Sequence, residues 1–274
     1  MAGEKLEEAI VVTPSMVEVS VITGTLNEID NVKNFVDSIQ KSLQPTYTYE
    51  LVVVDDNSND GTADYLEGIS KIDKHVRPIL NTFRHGLLNS NLQGIAESNG
   101  RLCVIMDSDL QHPPSKVVEV IEKLRADTDI VVCSRYLEGG SVGKRNPLRG
   151  IISRIAILLT KILIPGTRTS TDPISGFFGF KKPIEVPKAG SSNCCKTLTL
   201  ILAMSQDKAV CEIPFQFGKR KAGESKSVQR LDFVPNFIIE LLRLRQATKS
   251  AHECTKAGMK QPSAEEDIRH VGIH

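Results

Sequence analysis

The sequence of 274 residues contains no tryptophan, has few aromatic side chains (5%) and carries a formal net charge of only +1. This balance of charge excludes the strongly basic surface with which proteins bind the phosphate backbone of nucleic acids. No stretch reaches the ~18 uninterrupted apolar residues of a membrane-spanning helix. Lys161 interrupts the apolar run 155–164, and Glu240 and Arg243 interrupt the run 237–244. The sequence therefore predicts neither a nucleic-acid-binding protein nor a membrane-spanning one.

Targeting and cysteine patterns are also missing. The acidic start MAGEKLEEAI lacks the order of charged and apolar residues of a secretory signal. The six cysteines form no C-x-x-C pair, and most lie in apolar runs, where a thiol behaves as a small hydrophobic group. We therefore expect a reducing, cytoplasmic setting. With 40% hydrophobic and 24% charged residues, the composition is that of one large globular domain with short appendages.

Short apolar runs alternate with helix-length segments in the first half of the chain. The apolar runs lie at 17–23, 51–54, 102–106 and 130–133, and the helical segments lie near 29–43, 62–72, 88–98 and 115–125. This order predicts an α/β fold with a mainly parallel central sheet and helices on both faces. Ligands of such sheets bind beyond the carboxyl ends of the strands, where loops and helix starts meet.

The pattern changes after residue 135. The expected elements are helices at about 150–164, 193–206 and 232–246, a strand at 209–215, and loops at 138–150, 166–175 and 217–227. We expect a flexible tail at 1–15, a main domain at 16–228, an amphipathic helix at 229–250 and a disordered tail at 251–274. The segments 151–164 and 232–245 combine apolar faces with basic residues, so they either lie in a bilayer interface or pack within the core.

The strongest local signal, M-D-S-D-L-Q-H-P-P, follows the third of these strands. Asp107 and Asp109, with the carboxamide of Gln111, can converge on one Mg²⁺ or Mn²⁺, which also accepts oxygens from substrate phosphates. The motif therefore indicates metal-assisted binding of a diphosphate. The alternative is that the two aspartates only cap the helix that begins near Ser115. We interpret His112 as a structural neighbour of this turn.

Acidic residues also follow the first two strands. Asp55 and Asp56 begin the motif D-D-N-S-N-D-G-T, and Glu28 ends the motif T-L-N-E. Carboxylates at these positions can accept hydrogen bonds from a base or from ribose hydroxyls. A simple Asx turn explains the first motif equally well, and a favourable charge at a helix start explains the second. A receiver-type signalling domain also places paired aspartates after a strand.

Basic residues near predicted loops and helix starts can bind phosphate oxygens. Each of them can equally be a solvated or ion-paired surface residue. They are Arg135, Arg149, Arg154, Arg220 and Lys226.

Six motifs follow one another in a characteristic order: T-L-N-E, V-V-D-D-N-S-x-D-G-T, M-D-S-D-L-Q-H-P-P, S-R-Y-x-x-G-G, D-P-I-S-G-F-F and F-G-K-R-K-A-G-E-S-K. In this order they resemble the family 2 glycosyltransferases of the GT-A fold, and among them the dolichol-phosphate mannose synthases, over roughly residues 17–228. The resemblance implies metal-dependent, inverting transfer of mannose from GDP-mannose to dolichyl (polyprenyl) phosphate. A UDP-glucose-type donor, or a different lipid or glycan acceptor, is the alternative.

The resemblance also implies roles for individual residues. Asp107, Asp109 and Gln111 would hold Mg²⁺ or Mn²⁺, and Asp109, Arg135 and Arg220 would be the catalytic groups. Substrate contacts would come from Glu28, Val53, Asp55, Met106, Asp107, Ser108, Arg135, Arg149, Ser153, Arg220 and Lys226. The implied partners are a nucleotide-sugar donor and a polyprenyl-phosphate acceptor, with no nucleic acid. The implied location is the cytosolic face of a membrane, reached by peripheral contact or through a separate anchoring subunit.

The chain departs from the family pattern in two motifs. G-T-L-N-E, at residues 24–28, replaces the usual P-T-Y-N-E, so that a proline and an aromatic residue beside the base are lost. R-H-G-L-L, at residues 84–88, lacks the second glycine of the usual G-L-G. The first change bears on which base the donor carries. Many relatives also have carboxyl-terminal membrane-spanning helices, and this sequence shows no such segment.

Overall fold

The computed structural model describes residues 17–143, 147–185, 196–218 and 233–256. Within these residues the strands are Val19–Thr25 (β1), Tyr49–Asp55 (β2), Val76–Leu80 (β3), Leu102–Ile105 (β4), Ile130–Ser134 (β5), Phe178–Lys181 (β6) and Val210–Pro214 (β7). The helices are Ile29–Leu43 (α1), Thr62–Ile72 (α2), Leu87–Glu97 (α3), Lys116–Arg125 (α4), Pro147–Leu163 (α5), Thr197–Met204 (α6) and Phe233–Lys256 (α7), with a 3₁₀ turn at Pro165–Thr169.

All described strands form one sheet in the order β3-β2-β1-β4-β6-β5-β7. The four strands β3, β2, β1 and β4 are parallel, as are β5 and β7, whereas β6 runs antiparallel to both of its neighbours. The predicted α/β fold with a mainly parallel sheet is therefore confirmed. A receiver-type domain has the strand order 2-1-3-4-5, so this sheet does not match that alternative.

Helices cover both faces of the sheet, as predicted, because successive side chains of a strand point to opposite faces. Val21 of β1 belongs to a core shared with α1, α2 and α4. The next residue, Ile22, belongs to a second core shared with α3, α5, α6 and α7. Strand β1 is thus buried on both faces of the sheet.

Two strands were not predicted. β3 contains Pro78, which cannot donate a ladder hydrogen bond and is therefore tolerated at the edge of the sheet, where β3 lies. β6 has only four residues and reverses direction between β4 and β5. Such an insertion depends on contacts distant in sequence, which local periodicity does not report.

The carboxyl-terminal elements differ slightly from the predicted bounds. The loop expected at 166–175 begins with the 3₁₀ turn, and α6 begins at Thr197. Helix α7 continues to Lys256, six residues beyond the expected boundary at 250, and packs against α5. Among the described helices, none combines the length and apolar character needed to cross a bilayer.

Close packing of α4 on β6 predicts a strong effect of a single methyl group. A Cβ at Gly179 would lie 2.5 Å from Val120 Cγ1 and 3.0 Å from both Leu124 Cδ1 and the Cys103 carbonyl. We expect Gly179→Ala to lower the free energy of unfolding by ~1–3 kcal/mol, measured by urea denaturation.

Gly68→Ala is the matched control, because a Cβ at Gly68 in α2 meets no atom within 4 Å. It should raise the free energy of unfolding by ~0.5–1 kcal/mol through helix propensity. Equal stabilities of the two variants would contradict the packing described for β6.

Candidate active site

Three functional loops meet at the carboxyl edge of the sheet. β1 ends at Thr25, which is in register with Asp55 at the end of β2. β4 pairs with the other side of β1, with Ile105 beside Ile22. The T-L-N-E, D-D-N-S-N-D-G-T and D-S-D-L-Q segments therefore begin next to one another, as the sequence predicts.

The loops after β1 and β2 are fastened by a hydrogen-bond network. Ser58 donates from its hydroxyl to Asp55 Oδ1 (2.5 Å) and from its amide to Asp55 Oδ2 (2.9 Å). The Asn27 amide donates to Ser58 Oγ (2.8 Å), and Asn27 Oδ1 accepts from the Asn59 amide (2.8 Å). Asn27 and Asn57 have φ of 50° and 63°, a region that Asn tolerates better than most residues. The Asp55 carboxylate is thus fixed before any ligand binds.

The starts of α1 and α2 share one carboxylate. Asp60 Oδ2 accepts from the Ile29 amide (3.1 Å) and Asp60 Oδ1 from the Thr62 amide (3.0 Å). Burial raises the pKa of the Asp60 carboxyl, but the hydrogen bonds from Thr62 and Ile29 outweigh this effect and lower it. Glu28 precedes α1 and accepts from Asn31 Nδ2 through Oε2 (2.5 Å). Glu28 therefore lies beside the Asp55 loop, where a nucleoside is expected.

Asp56 has a different role from its neighbour. This buried side chain accepts from the amides of His85 (2.6 Å) and Gly86 (2.8 Å). Gly86 has a φ of 85°, in the region that favours glycine. Asp56 thus holds the loop before α3 against the end of β2, a role that its place in the sequence motif did not reveal.

The D-S-D-L-Q turn is closed by its own hydrogen bonds. Asp109 Oδ1 accepts from the Gln111 amide (3.0 Å), and Leu110 has a φ of 60°. Gln111 Nε2 donates to the Gly218 carbonyl (3.0 Å), and the Gly218 amide donates to the Gln111 carbonyl (2.8 Å). The carboxamide of Gln111 is therefore oriented by the segment after β7.

His112 is a structural residue of this turn, as expected. Its Nδ1 accepts from the Asp107 amide (3.0 Å), which places the proton of the neutral ring on Nε2. The ring is 2% exposed and lies 5.3–5.5 Å from the rings of Phe177, Phe215 and Phe217. His112 is therefore not placed to take a proton from a substrate.

The two carboxylates of the turn differ in exposure: Asp109 is 8% exposed, and Asp107 is the one that is open to a hard divalent cation. The Asp107 side chain is 40% exposed and faces Gly176, where an added Cβ would lie 3.3 and 3.6 Å from its two oxygens. The space in front of Asp107 thus depends on a missing side chain. Within the described residues, no group of three or more His, Cys, Asp or Glu side chains could hold a metal alone. A cation here would need substrate oxygens, which is the usual situation for Mg²⁺.

Arg135 is held by a buried partner that the sequence analysis did not identify. Its Nε and Nη2 donate to the two oxygens of Asp172 (2.7 and 2.8 Å), which is completely buried. Burial alone would lower the pKa of the Arg135 guanidinium, but the hydrogen bonds and charge of Asp172 outweigh it and raise the pKa. The charge of the Asp107 carboxylate contributes to the same rise in the pKa of Arg135.

Three other predicted substrate residues lie close to the D-S-D-L-Q turn or in the strands that lead to the edge. Val53 and Met106 are buried in the core beneath the carboxyl edge, and Ser108 is buried within the turn. Their side chains therefore support the edge from within the protein.

The predicted acceptor-side residues are described only in part. Ser153 lies in α5, and its hydroxyl accepts from the Tyr136 hydroxyl (3.0 Å). Arg149 belongs to the first turn of α5, but the structure does not describe its side chain. Arg220 and Lys226 lie outside the described residues. The structure therefore leaves the last three assignments as predictions.

A small open cleft begins at Asp107 and continues between α3 and α6. Its floor is apolar, with Leu88, Ile105 and Phe178 almost fully buried. Its other lining residues are Leu87, Asn91, Ser175, Gly176, Lys196 and Thr197. Polar side chains therefore surround an apolar floor, and such a combination occurs in small-molecule sites.

The predicted metal site requires both aspartates of the turn. We expect Asp107→Asn and Asp109→Ala each to weaken Mn²⁺ binding in the presence of GDP by at least roughly tenfold, because each removes an anionic ligand. The measurement is isothermal titration calorimetry. Asp64→Asn, at an exposed site in the first turn of α2, is the control and should bind Mn²⁺ as the unmodified chain does. Undiminished binding by Asp109→Ala would remove the metal assignment.

Comparisons with known proteins show which family the chain belongs to. A family model described as Glycosyl transferase family 2 matches residues 20–185. A dolichol-phosphate mannosyltransferase of Pyrococcus furiosus is 38% identical over 210 residues, which are 76% of this chain and 59% of that protein. The chain therefore spans less than two thirds of that relative. A dolichol-phosphate mannosyltransferase of Saccharomyces cerevisiae is 34% identical over 221 residues, covering 77% of this chain and 81% of the relative.

A solved structure shares the fold. Glucosyl-3-phosphoglycerate synthase of Mycobacterium tuberculosis, in complex with Mn²⁺, UDP-glucose and phosphoglyceric acid, superposes with a TM-score of 0.59 at 20% identity. The match covers 84% of this chain and 80% of that one. Because the family model covers more than half of the sequence and the yeast relative aligns over most of its own length, the chain belongs to glycosyl transferase family 2.

Proposed function

We propose that this glycosyltransferase moves mannose from GDP-mannose to dolichyl (polyprenyl) phosphate, with inversion, and gives the β-linked lipid-phosphate sugar used in protein or lipid glycosylation. The observation that carries the proposal is the position of the D-S-D-L-Q turn, which opens onto a cleft with an apolar floor. The relatives named dolichol-phosphate mannosyltransferase support the choice of sugar and acceptor.

The cleft suits an acceptor that needs no general base. Among the described residues that line it, Asp107 is the one carboxylate, and a lysine, Lys196, lies on its rim. His112 is buried, and its Nδ1 is occupied by a backbone amide. A monoester phosphate has a second pKa of about 6 and is largely dianionic at neutral pH. Such a phosphate is already a nucleophile, whereas a sugar hydroxyl would require a base.

Different residues at the carboxyl edge would bind different parts of the donor and the acceptor. Asp55 and Glu28 would accept hydrogen bonds from the nucleoside, and Asp107, Asp109 and Gln111 would hold Mg²⁺ or Mn²⁺. That cation, when bound, supplies positive charge that stabilises the departing nucleoside diphosphate. Arg135, Arg220 and Lys226 would add positive charge beside the phosphates. Arg149 and Ser153 would contact the lipid phosphate.

The stereochemical outcome follows from a single displacement. An oxygen of the acceptor phosphate forms a bond to the anomeric carbon while the bond to the donor diphosphate breaks. Attack comes from the face opposite the leaving group, so an α-linked donor gives a β-linked product.

A donor and acceptor panel tests the function. The purified protein with Mn²⁺ and a short polyprenyl phosphate should release nucleoside diphosphate from GDP-mannose much faster than from UDP-glucose, with β-linked product by NMR. Omission of the metal should abolish the release. Faster turnover of UDP-glucose, or transfer to a glycan and not to the lipid phosphate, would contradict this proposal. It would favour the alternative of a UDP-glucose-type donor or a glycan acceptor.

An apolar face on α5 supports peripheral contact with the cytosolic side of a membrane. Ile151, Ile155, Leu158 and Ile162 follow one stripe of the helix and are 56%, 50%, 59% and 55% exposed. The neighbouring helix α7 adds exposed Ile239 and Leu242. Exposed Arg154, Arg243 and Arg245 flank this surface. An apolar stripe beside basic residues is typical of helices in a bilayer interface.

Vesicle flotation tests this face. We expect Ile155→Asp with Leu158→Asp to weaken binding to vesicles of phosphatidylcholine and phosphatidylserine by at least roughly tenfold, because two apolar side chains lose their burial in lipid. Ile72→Asp is the control, since Ile72 is even more exposed but lies at the end of α2. If the unmodified chain does not bind vesicles, recruitment through a separate anchoring subunit would be favoured.

A further inference from the structure

We propose that Asp172 is a positioning residue for glycosyl transfer: it fixes the Arg135 guanidinium so that its remaining N–H groups face the substrate phosphates beside Asp107. The inference rests on the proposed function, because those phosphates belong to the donor or to the acceptor. Asp172 does not touch the reacting atoms and acts only through Arg135.

The contact between the two side chains is specific. Asp172 receives three hydrogen bonds from Arg135, from Nε (2.7 Å), from Nη2 (2.8 Å) and from the backbone amide (3.2 Å). The planar fork of arginine matches a carboxylate only in one orientation. Two of the five N–H donors of the guanidinium are used in this way. The other donors are consequently held in a fixed direction.

Asp172 is itself held from behind, independently of Arg135. Its amide donates to Ser170 Oγ (3.0 Å), and the Ser170 hydroxyl donates to Glu212 Oε1 (2.8 Å). The Thr171 amide donates to the same oxygen (2.7 Å). Glu212 belongs to β7, so the central sheet anchors the loop that carries Asp172. This arrangement gives the carboxylate one position before substrate binds.

The Arg135 site is connected to the metal-binding turn. The guanidinium carbon lies 5.6 Å from the Tyr136 ring centre and 5.9 Å from that of Phe217, within the range of cation–π contacts. The residue after Phe217 is Gly218, which orients the Gln111 carboxamide. Arg135 thus packs against the segment that also holds Gln111 of the metal-binding turn.

A second buried ion pair provides a matched control. Glu50, at the opposite end of β2, is 6% exposed in its side chain and pairs with Arg77 (3.3 Å). It also accepts from the Ser20 hydroxyl and from Asn99. Loss of either carboxylate removes a buried, hydrogen-bonded charge from the protein. Only the loss of Asp172 should disturb the site.

The experiment is a double-mutant cycle of Asp172→Asn and Arg135→Ala, with Glu50→Gln as the control. We measure kcat and KM for both substrates, the affinity for GDP with Mn²⁺, and the melting temperature. Asp172→Asn should lower kcat/KM by roughly 10–100-fold, as for other residues that orient a site group. The double variant should be no less active than Arg135→Ala alone. Glu50→Gln should stay within about twofold of the unmodified protein, because it is remote from the site.

The outcomes show whether Arg135 contacts the donor or the acceptor phosphate, and whether Asp172 positions it. If Asp172→Asn and Arg135→Ala bind GDP more weakly, Arg135 contacts the donor diphosphate. If their GDP binding is unchanged and their KM for polyprenyl phosphate is raised, Arg135 contacts the acceptor phosphate. Either result supports the positioning role of Asp172. Unchanged kcat/KM in Asp172→Asn, or losses in the double variant that multiply, would overturn it. If Asp172→Asn does not fold, Ser170→Ala, which loosens Asp172 from behind, must show the same pattern on a smaller scale.

The experiment also distinguishes failure of the proposed function from failure of the role proposed for Asp172. If the unmodified protein transfers sugar to no acceptor, the proposed reaction is wrong. The double-mutant cycle then rests on the affinities for GDP alone. Equal and non-multiplying losses of affinity in the three variants would still support the role of Asp172. Unchanged affinity would remove it.

Discussion

Buried carboxylates that accept backbone and side-chain hydrogen bonds hold the loops of this site in place. Asp55 fastens the loop after β2 to the loop after β1, and Asp56 fastens the loop before α3. Asp172 fixes Arg135. A buried charge is tolerated only when it is paired or fully hydrogen-bonded, so these loops have little freedom to adopt other arrangements. The edge of the sheet is consequently organised before a ligand arrives.

This constraint distinguishes acids that support the site from acids that are presented to a ligand. Asp56 and Asp172 are buried and engaged with the protein itself. Asp107, in contrast, is partly exposed and opens onto the cleft, opposite a glycine. Electrostatic catalysis depends on charges that are fixed in advance. Asp56 and Asp172 provide this fixation, and Asp107 faces the space in which a ligand can bind.

Much of the fold could be predicted from the sequence because β-α alternation and apolar runs are local signals. Both faces of the sheet and the meeting of three motifs at its carboxyl edge follow from these signals. β6 and the pairing of Asp172 with Arg135 could not be predicted, because each joins residues at least 37 positions apart. The motif D-P-I-S-G-F-F marked Asp172 as part of a pattern, but only the geometry shows its partner.

The central claim is that Asp107 and Asp109 hold a divalent cation together with the diphosphate of a sugar nucleotide. A crystal structure with Mn²⁺ and GDP-mannose, measured at the manganese absorption edge, tests it most directly. The account predicts an anomalous peak roughly 2 Å from a carboxylate oxygen of this turn and from diphosphate oxygens. A sugar nucleotide bound elsewhere, or a manganese peak remote from both aspartates, would contradict it.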